Sequence, residues 1–169
     1  EDPDKPLLNR ALRGTYPPGS TYKPFMALAA LTTGARTPEM SISDPGYFLL
    51  GGHRFRDSVP SGHGSVNLHK SIVVSSDTYY YKLAYDMGVD AIHDFMVPWK
   101  FGQLTGIDLE NEVTGILPSS AWKNRRYKLK WLPGETPSIG IGQGYNAFTI
   151  LQLAHATATL ANDGVVMRP

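Results

Sequence analysis

The sequence predicts an α+β fold, and three observations carry that prediction. Capped, apolar helical patterns recur, among them Phe25 to Leu31, Thr78 to Met87 and the run that Thr149 opens towards Ala161. Between the first two stands a hairpin signal, Tyr47 to Arg56, with Gly51 and Gly52 at its turn. No internal repeat or low-complexity tract interrupts this mixture of helices and a few hairpin strands. A chain of 169 residues fits one domain with a real core.

Composition narrows the function classes. The formal net charge of +1 gives no nucleic-acid footprint. Lys123, Arg125, Arg126, Lys128 and Lys130 form a local basic run with Trp122, Tyr127 and Trp131 interleaved, which reads as a solvated helix face, or else as a glycan-facing or membrane-proximal surface. With no cysteine there are no disulfides and no thiolate metal sites. No apolar run approaches membrane-spanning length, and no signal peptide is visible.

Taken in order, residues 1–14 are polar, carry Pro3 and Pro6, and read as loop. Tyr16-Pro17-Pro18-Gly19-Ser20-Thr21-Tyr22-Lys23-Pro24-Phe25 is a stiff turn delivering a serine to a helix start, since Pro24 is tolerated only in a first turn. That helix ends at Gly34. Thr37 to Gly46 is turn-rich, the hairpin follows, and Ser58 to Gly64 is loop. Asn67 caps a short helix from Leu68, and Thr78 to Met87 closes at Gly88. Asp90 is read as the cap of a further helix that Pro98 stops, and Ser119 as the cap of one running towards Arg126. Leu132 to Thr136 reads as a turn. Gly140 to Gly144 lacks the spacing and the lysine of a phosphate loop. Thr149 with Gln152 makes a capping box, Asn162-Asp163-Gly164 ends that helix, and Val165 to Met167 reads as the start of a strand.

The chemistry concentrates at Ser20 and Lys23. Residues three apart on a helix share a face, so the amine lies beside the hydroxyl. A serine is a poor nucleophile until a base takes its proton, and a lysine serves when burial and a helix N-terminus favour its neutral form. The plainer alternative makes Ser20 an N-cap and Lys23 a solvated first-turn residue.

PPGSTYKPF resembles the nucleophile motif of the penicillin-binding proteins, whose S-x-x-K, S-x-N and K-T-G set is well defined. The resemblance continues through Asn9-Arg10-Ala11, Asp44-Pro45-Gly46, Gly62-His63-Gly64, Ser75-Ser76-Asp77-Thr78-Tyr79-Tyr80-Tyr81, Thr105-Gly106-Ile107-Asp108-Leu109 and Gly140-Ile141-Gly142-Gln143-Gly144. It is closest to the transpeptidase domain of the elongation-type class B penicillin-binding proteins, and it implies the penicillin-binding, β-lactamase-like fold. It also implies a serine acyl transfer that cross-links peptidoglycan. Ser20 attacks a stem peptide ending in D-Ala-D-Ala with Lys23 as base, Ser75 relays a proton to the leaving amine, and Asp77 anchors the lysine. β-Lactams would trap the same serine.

Three departures from the family pattern matter. Asp77 stands where Asn is common in the wider family, although elongation-type members resemble this chain in carrying Asp, and its carboxylate favours the ammonium form of Lys23. The K-T-G motif, which orients the substrate carboxylate and leads to half of the oxyanion hole, does not occur. The chain is therefore expected to be a transpeptidase domain lacking its C-terminal sheet strands, weakly active or inactive alone. Third, some elongation-type relatives bind zinc through residues matching Asp44, Asp57 and His63 plus a cysteine, and here the cysteine's position holds Ser76. Loop capping is the reading preferred for the two aspartates, with no metal and no cofactor. His69, His93 and His155 lack partner spacing.

The implied partners are a glycan-polymerising protein of the SEDS family and elongation scaffold proteins. The implied location is the periplasmic face of the inner membrane, with an anchor upstream. Two rivals remain at this point: a D,D-carboxypeptidase or serine β-lactamase, in which water resolves the acyl-enzyme, and a non-catalytic β-lactam sensor or scaffold module.

Overall fold

The computed structural model describes residues 7–169, and helix α4, Asp77–Met87, is the post around which it is built. Against α4 pack α2 (Lys23–Thr33), α5 (Val89–Met96) and the short α7 (Thr136–Gly140). The hairpin of β3 (Tyr47–Leu50) and β4 (His53–Arg56) lies along it as well. Around these are α1 (Arg10–Arg13), α3 (Leu68–Val73), α6 (Ser120–Tyr127) and α8 (Ile150–Ala161). Three two-stranded antiparallel sheets complete the described part: β3–β4, β2 (Ile42–Asp44) with β5 (Gly64–Val66), and β1 (Thr15–Tyr16) with β6 (Phe148–Thr149).

The core joins these elements through aromatic side chains. Tyr22, Phe25 and Met26 meet Tyr79, Tyr80 and Leu83 of α4, Ile92 and Met96 of α5, and Phe101, Phe148 and Ile139. Phe101 stands edge-on to Tyr22 and Phe25, with centroids 5.4 and 5.1 Å apart. Full burial of each phenylalanine, leucine, isoleucine or methionine side chain in this set contributes about 1.5–3 kcal/mol. Helix α7 approaches α4 closely because Gly140 has no side chain; a Cβ there would lie 2.3 Å from the Tyr80 carbonyl oxygen.

Several expectations hold to the residue. Gly34 caps α2 in the left-handed conformation, with φ 74°. Asn67 and Ser119 cap α3 and α6, and the Thr149–Gln152 capping box opens α8. The hairpin pairs Leu50 with His53 across Gly51 and Gly52, both at positive φ as a tight primed turn requires.

Others are corrected. Residues 10–13, read as loop, form α1, because the Asn9 side chain accepts from the Leu12 N–H; Pro3 and Pro6 lie outside the described residues. The turn-rich stretch before the hairpin contains β2, and β5 begins at Gly64, the last residue of the stretch read as loop; both strands are too short to alternate visibly, and they pair across that hairpin. Asp90 does not cap α5; its carboxylate accepts from the Ser120 N–H and hydroxyl, tying α5 to α6. Leu132 to Thr136 holds a 3-10 turn, Pro133–Glu135, that leads into the unforeseen α7. Val165 to Met167 is irregular, with no ladder partner among the described residues.

The basic run is also not one solvated face. Arg125, Arg126, Lys128 and Lys130 are exposed, but Lys123 is buried and donates to both Glu135 oxygens at 2.6 Å.

Candidate active site

Ser20 lies in a 3-10 turn, Gly19–Tyr22, that continues directly into α2 with Lys23 as the first α-helical residue. In a 3-10 turn residues three apart eclipse one another, which brings Ser20 and Lys23 to one edge. Pro24 follows where the missing N–H has no helical partner to lose. Gly142 clamps this turn from outside: its carbonyl accepts from the Gly19 N–H at 3.0 Å, and a Cβ on it would sit 2.4 Å from the Gly19 oxygen. The glycine-spaced segment 140–144 is thus a packing surface for α4 and for the serine turn. Its signal in the sequence is the spacing of small residues, without an indication of what they touch.

Across the cleft, Ser75 sits between α3 and α4 with φ 52°, a left-handed conformation that costs a non-glycine residue about 1–3 kcal/mol. Lys23 Nζ donates to the Ser75 carbonyl at 2.7 Å, to Ser75 Oγ at 2.9 Å and to Asp77 Oδ1 at 2.6 Å. Those three acceptors use every proton of an ammonium group. The amine also lies 5.6 Å from the centre of the Tyr80 ring. Ser75 Oγ in turn donates to Ser20 Oγ at 3.1 Å. Lys23 is 2% exposed, whereas Ser20 opens to solvent.

The structure therefore brings Ser20, Lys23, Ser75 and Asp77 into one hydrogen-bonded chain. The link from hydroxyl to amine passes through Ser75 rather than directly along the helix edge. An Asp before Thr-Tyr-Tyr-Tyr is a competent N-cap, yet Asp77 is the first residue of α4 and the cap is Ser76, whose Oγ accepts from the Tyr79 N–H at 3.1 Å.

Beneath this loop lie the residues weighed as metal ligands. Ser76 Oγ donates to Asp44 Oδ2 at 2.8 Å, and the Thr78 N–H donates to Asp57 Oδ2 at 2.9 Å. The His63 ring shares a 2.8 Å bond with Asp44 Oδ2. Burial pushes the Asp44 carboxyl up, but the His63 ring, the Gly46 N–H and the Ser76 hydroxyl outweigh it and hold the group below the usual carboxylate range. His69 is exposed, and His155 meets the Met167 carbonyl at 2.7 Å; neither approaches these groups.

Comparison with known proteins places this geometry in a family. The family described as "Penicillin binding protein transpeptidase domain" matches residues 1–169. The chain belongs to that family. Among curated relatives, the peptidoglycan D,D-transpeptidase MrdA of Haemophilus influenzae is 48% identical over 167 residues, covering 98% of this chain and 26% of that protein. MrdA of Acinetobacter baumannii is 52% identical over 163 residues, covering 95% and 24%. The chain thus spans about a quarter of the length of these relatives.

The penicillin-binding fold is equally clear. PBP2 of Pseudomonas aeruginosa, solved in complex with WCK 5153, superposes with TM-score 0.95 at 48% identity, covering 98% of this chain and 38% of that one. Helicobacter pylori PBP2 in complex with MreC gives TM-score 0.92 at 37% identity, covering 96% and 31%. A peptidoglycan synthase complex that coordinates polymerisation and crosslinking gives 0.84 at 35%, covering 95% and 28%.

Proposed function

We propose that this penicillin-binding transpeptidase chain carries the nucleophile and the proton-handling groups of peptidoglycan cross-linking. The observation that carries the reading is the chain of hydrogen bonds from exposed Ser20, through Ser75, to buried Lys23 and Asp77. Ser20 Oγ attacks the carbonyl between two terminal D-alanines of a donor stem peptide, and its proton passes to the neutral amine of Lys23 by way of the Ser75 hydroxyl. The same hydroxyl then returns a proton to the departing D-alanine nitrogen as the C–N bond breaks. An amine of a second stem peptide resolves the acyl-enzyme, forming the cross-link and releasing Ser20.

Each residue has a physical task. Ser75 is held by its backbone twist so that one side chain faces both the nucleophile and the base. Asp77 fixes the amine's position, and its charge favours the ammonium that proton transfer produces. No K-T-G tripeptide occurs in the 169 residues, so the carboxylate-binding element of the family is not assigned to any of them.

The likeness to H. pylori PBP2 bound to MreC, and to a synthase complex that joins polymerisation to crosslinking, supports docking on a scaffold protein and a glycan polymerase, within cell-shape-determining wall synthesis. Periplasmic placement follows from the same reading. Among the described residues no helix is long and apolar enough to cross a membrane.

A fluorescent penicillin tests the proposal. The full-length protein is expected to form a long-lived covalent adduct that Ser20→Ala abolishes. Labelling that survives the substitution refutes the assignment, and an adduct hydrolysed within seconds points to a β-lactamase instead.

A further inference from the structure

Outside the proposed acylation groups, Asp44, Asp57 and His63 form a group with metal-ligand chemistry among the described residues, and their candidate ligand atoms all lie within 4.8 Å of one another. Zinc accepts two carboxylates and an imidazole, and the family resemblance implies such an ion in some relatives, completed by a cysteine. The residues of this chain do not fit it. The fourth position holds Ser76, and a neutral hydroxyl is a far weaker zinc ligand than a thiolate.

The acceptor oxygens are also committed within the chain. Asp44 Oδ2 takes both the Ser76 hydroxyl and the His63 ring, and Asp44 Oδ1 takes the Gly46 N–H at 2.9 Å. Asp57 Oδ1 takes the Val59 N–H and the Ser58 hydroxyl, each at 3.2 Å, while Oδ2 takes Thr78 N–H. Ser76 Oγ completes its own set by accepting from Tyr79 N–H. The Asp44 side chain has no exposed surface, so water does not compete for these bonds.

We propose that this cluster is a metal-free clamp in which Asp44 and Asp57 position the Ser75–Asp77 loop. They hold the residues on either side of Asp77, one through the Ser76 side chain and the other through the Thr78 backbone. The left-handed backbone at Ser75 that presents its hydroxyl and carbonyl to Lys23 is costly for a non-glycine residue, so the loop needs a hold from below. Asp44 and Asp57 supply it from separate elements, the end of β2 and the residue after β4. In this design two hydrogen bonds to a hydroxyl and an amide do what a metal–thiolate bond would otherwise do. The consequence for acylation rests on the function proposed above; the metal content does not.

The test uses the full-length protein, expressed with zinc in the medium and purified without chelator. Wild type is expected to hold zinc well below one equivalent and to keep both Tm and penicillin-acylation rate in EDTA. Ser76→Cys is expected to take up stoichiometric zinc; EDTA then lowers its Tm and slows acylation, and added zinc restores both. Ser76→Ala is expected to slow acylation about tenfold or more, with no rescue by zinc.

Stoichiometric zinc in wild type whose removal lowers Tm overturns the proposal. So does Ser76→Cys that stays zinc-free, or Ser76→Ala acylated at the wild-type rate. Metal content and Tm are read without any acyl transfer, so loss of the Ser20 assignment would leave those arms standing.

Discussion

Lys23 and Lys123 begin from the same physics and serve different ends. Each is almost fully buried, each meets a carboxylate at 2.6 Å, and each lies over an aromatic ring. Around Lys123 the set is closed: Glu135 gives both oxygens to the amine and also accepts from the Leu132 N–H and the Tyr145 hydroxyl. Around Lys23 one of the three acceptors is a hydroxyl, and that hydroxyl leads out to a second one facing solvent. The contrast teaches that a buried lysine–carboxylate pair, even with a shifted carboxyl, marks chemistry only where a transferable proton has a way out.

The sharpest way to break this contrast is to remove each amine in turn. Lys23→Met is expected to slow penicillin acylation by about 10²–10⁴-fold, the range for a lost general base. Lys123→Met is expected to leave the acylation rate near wild type while lowering the unfolding free energy by about 3 kcal/mol, because Glu135 is left without its partner. Pairing each change with removal of the carboxylate extends the test. Lys123→Met with Glu135→Leu should recover most of the lost stability, since a buried ion pair and a well-packed apolar pair are often nearly equivalent. Lys23→Met with Asp77→Leu should recover stability without activity. Urea unfolding and stopped-flow acylation read the two quantities separately; loss of acylation in Lys123→Met would end the comparison.

Backbone tolerance should divide the two regions next. Gly142→Ala puts a Cβ 2.4 Å from the Gly19 oxygen and places alanine at φ 70°, so the serine turn must shift. Acylation is expected to fall about 10–100-fold, since a displacement of about 1 Å suffices for that. Gly134, in the turn beside Glu135, has an ordinary backbone, and a Cβ added to it would meet nothing within 4 Å, so Gly134→Ala should leave both rate and Tm close to wild type.

How much of this is legible in the sequence follows from where the information lies. Caps, the primed turn at Gly51-Gly52 and the S-x-x-K spacing are local, and each is readable from a few neighbouring residues. The pairing of Ile42 with Val66 across a hairpin is not, because three-residue strands carry almost no alternation. Ser76 rather than Asp77 caps α4 because both residue types are competent caps and only tertiary context decides: Lys23 claims Asp77, and the Tyr79 N–H takes Ser76. Lys123 looks like one more solvated cation because nothing local says that Glu135 folds back onto it. The four residues proposed for acylation are visible as motifs, whereas the passage of the hydrogen bonds through Ser75 depends on a backbone twist invisible in the residue string.

A smaller effect sharpens the positional side. Asp77→Asn keeps an oxygen where Asp77 Oδ1 meets Lys23, so the amine keeps its anchor, whereas Asp77→Leu removes it. Penicillin acylation is expected to be faster in Asp77→Asn than in Asp77→Leu. Equal rates in the two variants would show that Asp77 does not position the amine.

The smallest effect concerns Glu135 and appears only in acid. Burial pushes its carboxyl up, but bonds from Lys123, the Leu132 N–H and Tyr145 outweigh that and hold it below the ordinary range. A folded-state value below the unfolded one means that the unfolded chain binds more protons in the window between them. The resulting stability is fully present above the unfolded glutamate value of about 4.3 and is lost as pH falls through the lower folded value. Asp44 adds a loss of the same sign, so wild type alone cannot isolate the pair. Glu135→Gln removes only the one contribution: the variant should be less stable than wild type at neutral pH, with the gap narrowing once pH drops below about 4. Urea denaturation followed by circular dichroism across that range measures the gap directly. A gap that stays constant into strong acid would mean that Glu135 holds Lys123 by shape and hydrogen bonding without charge, and the likeness between the two lysine pairs would then be geometric only.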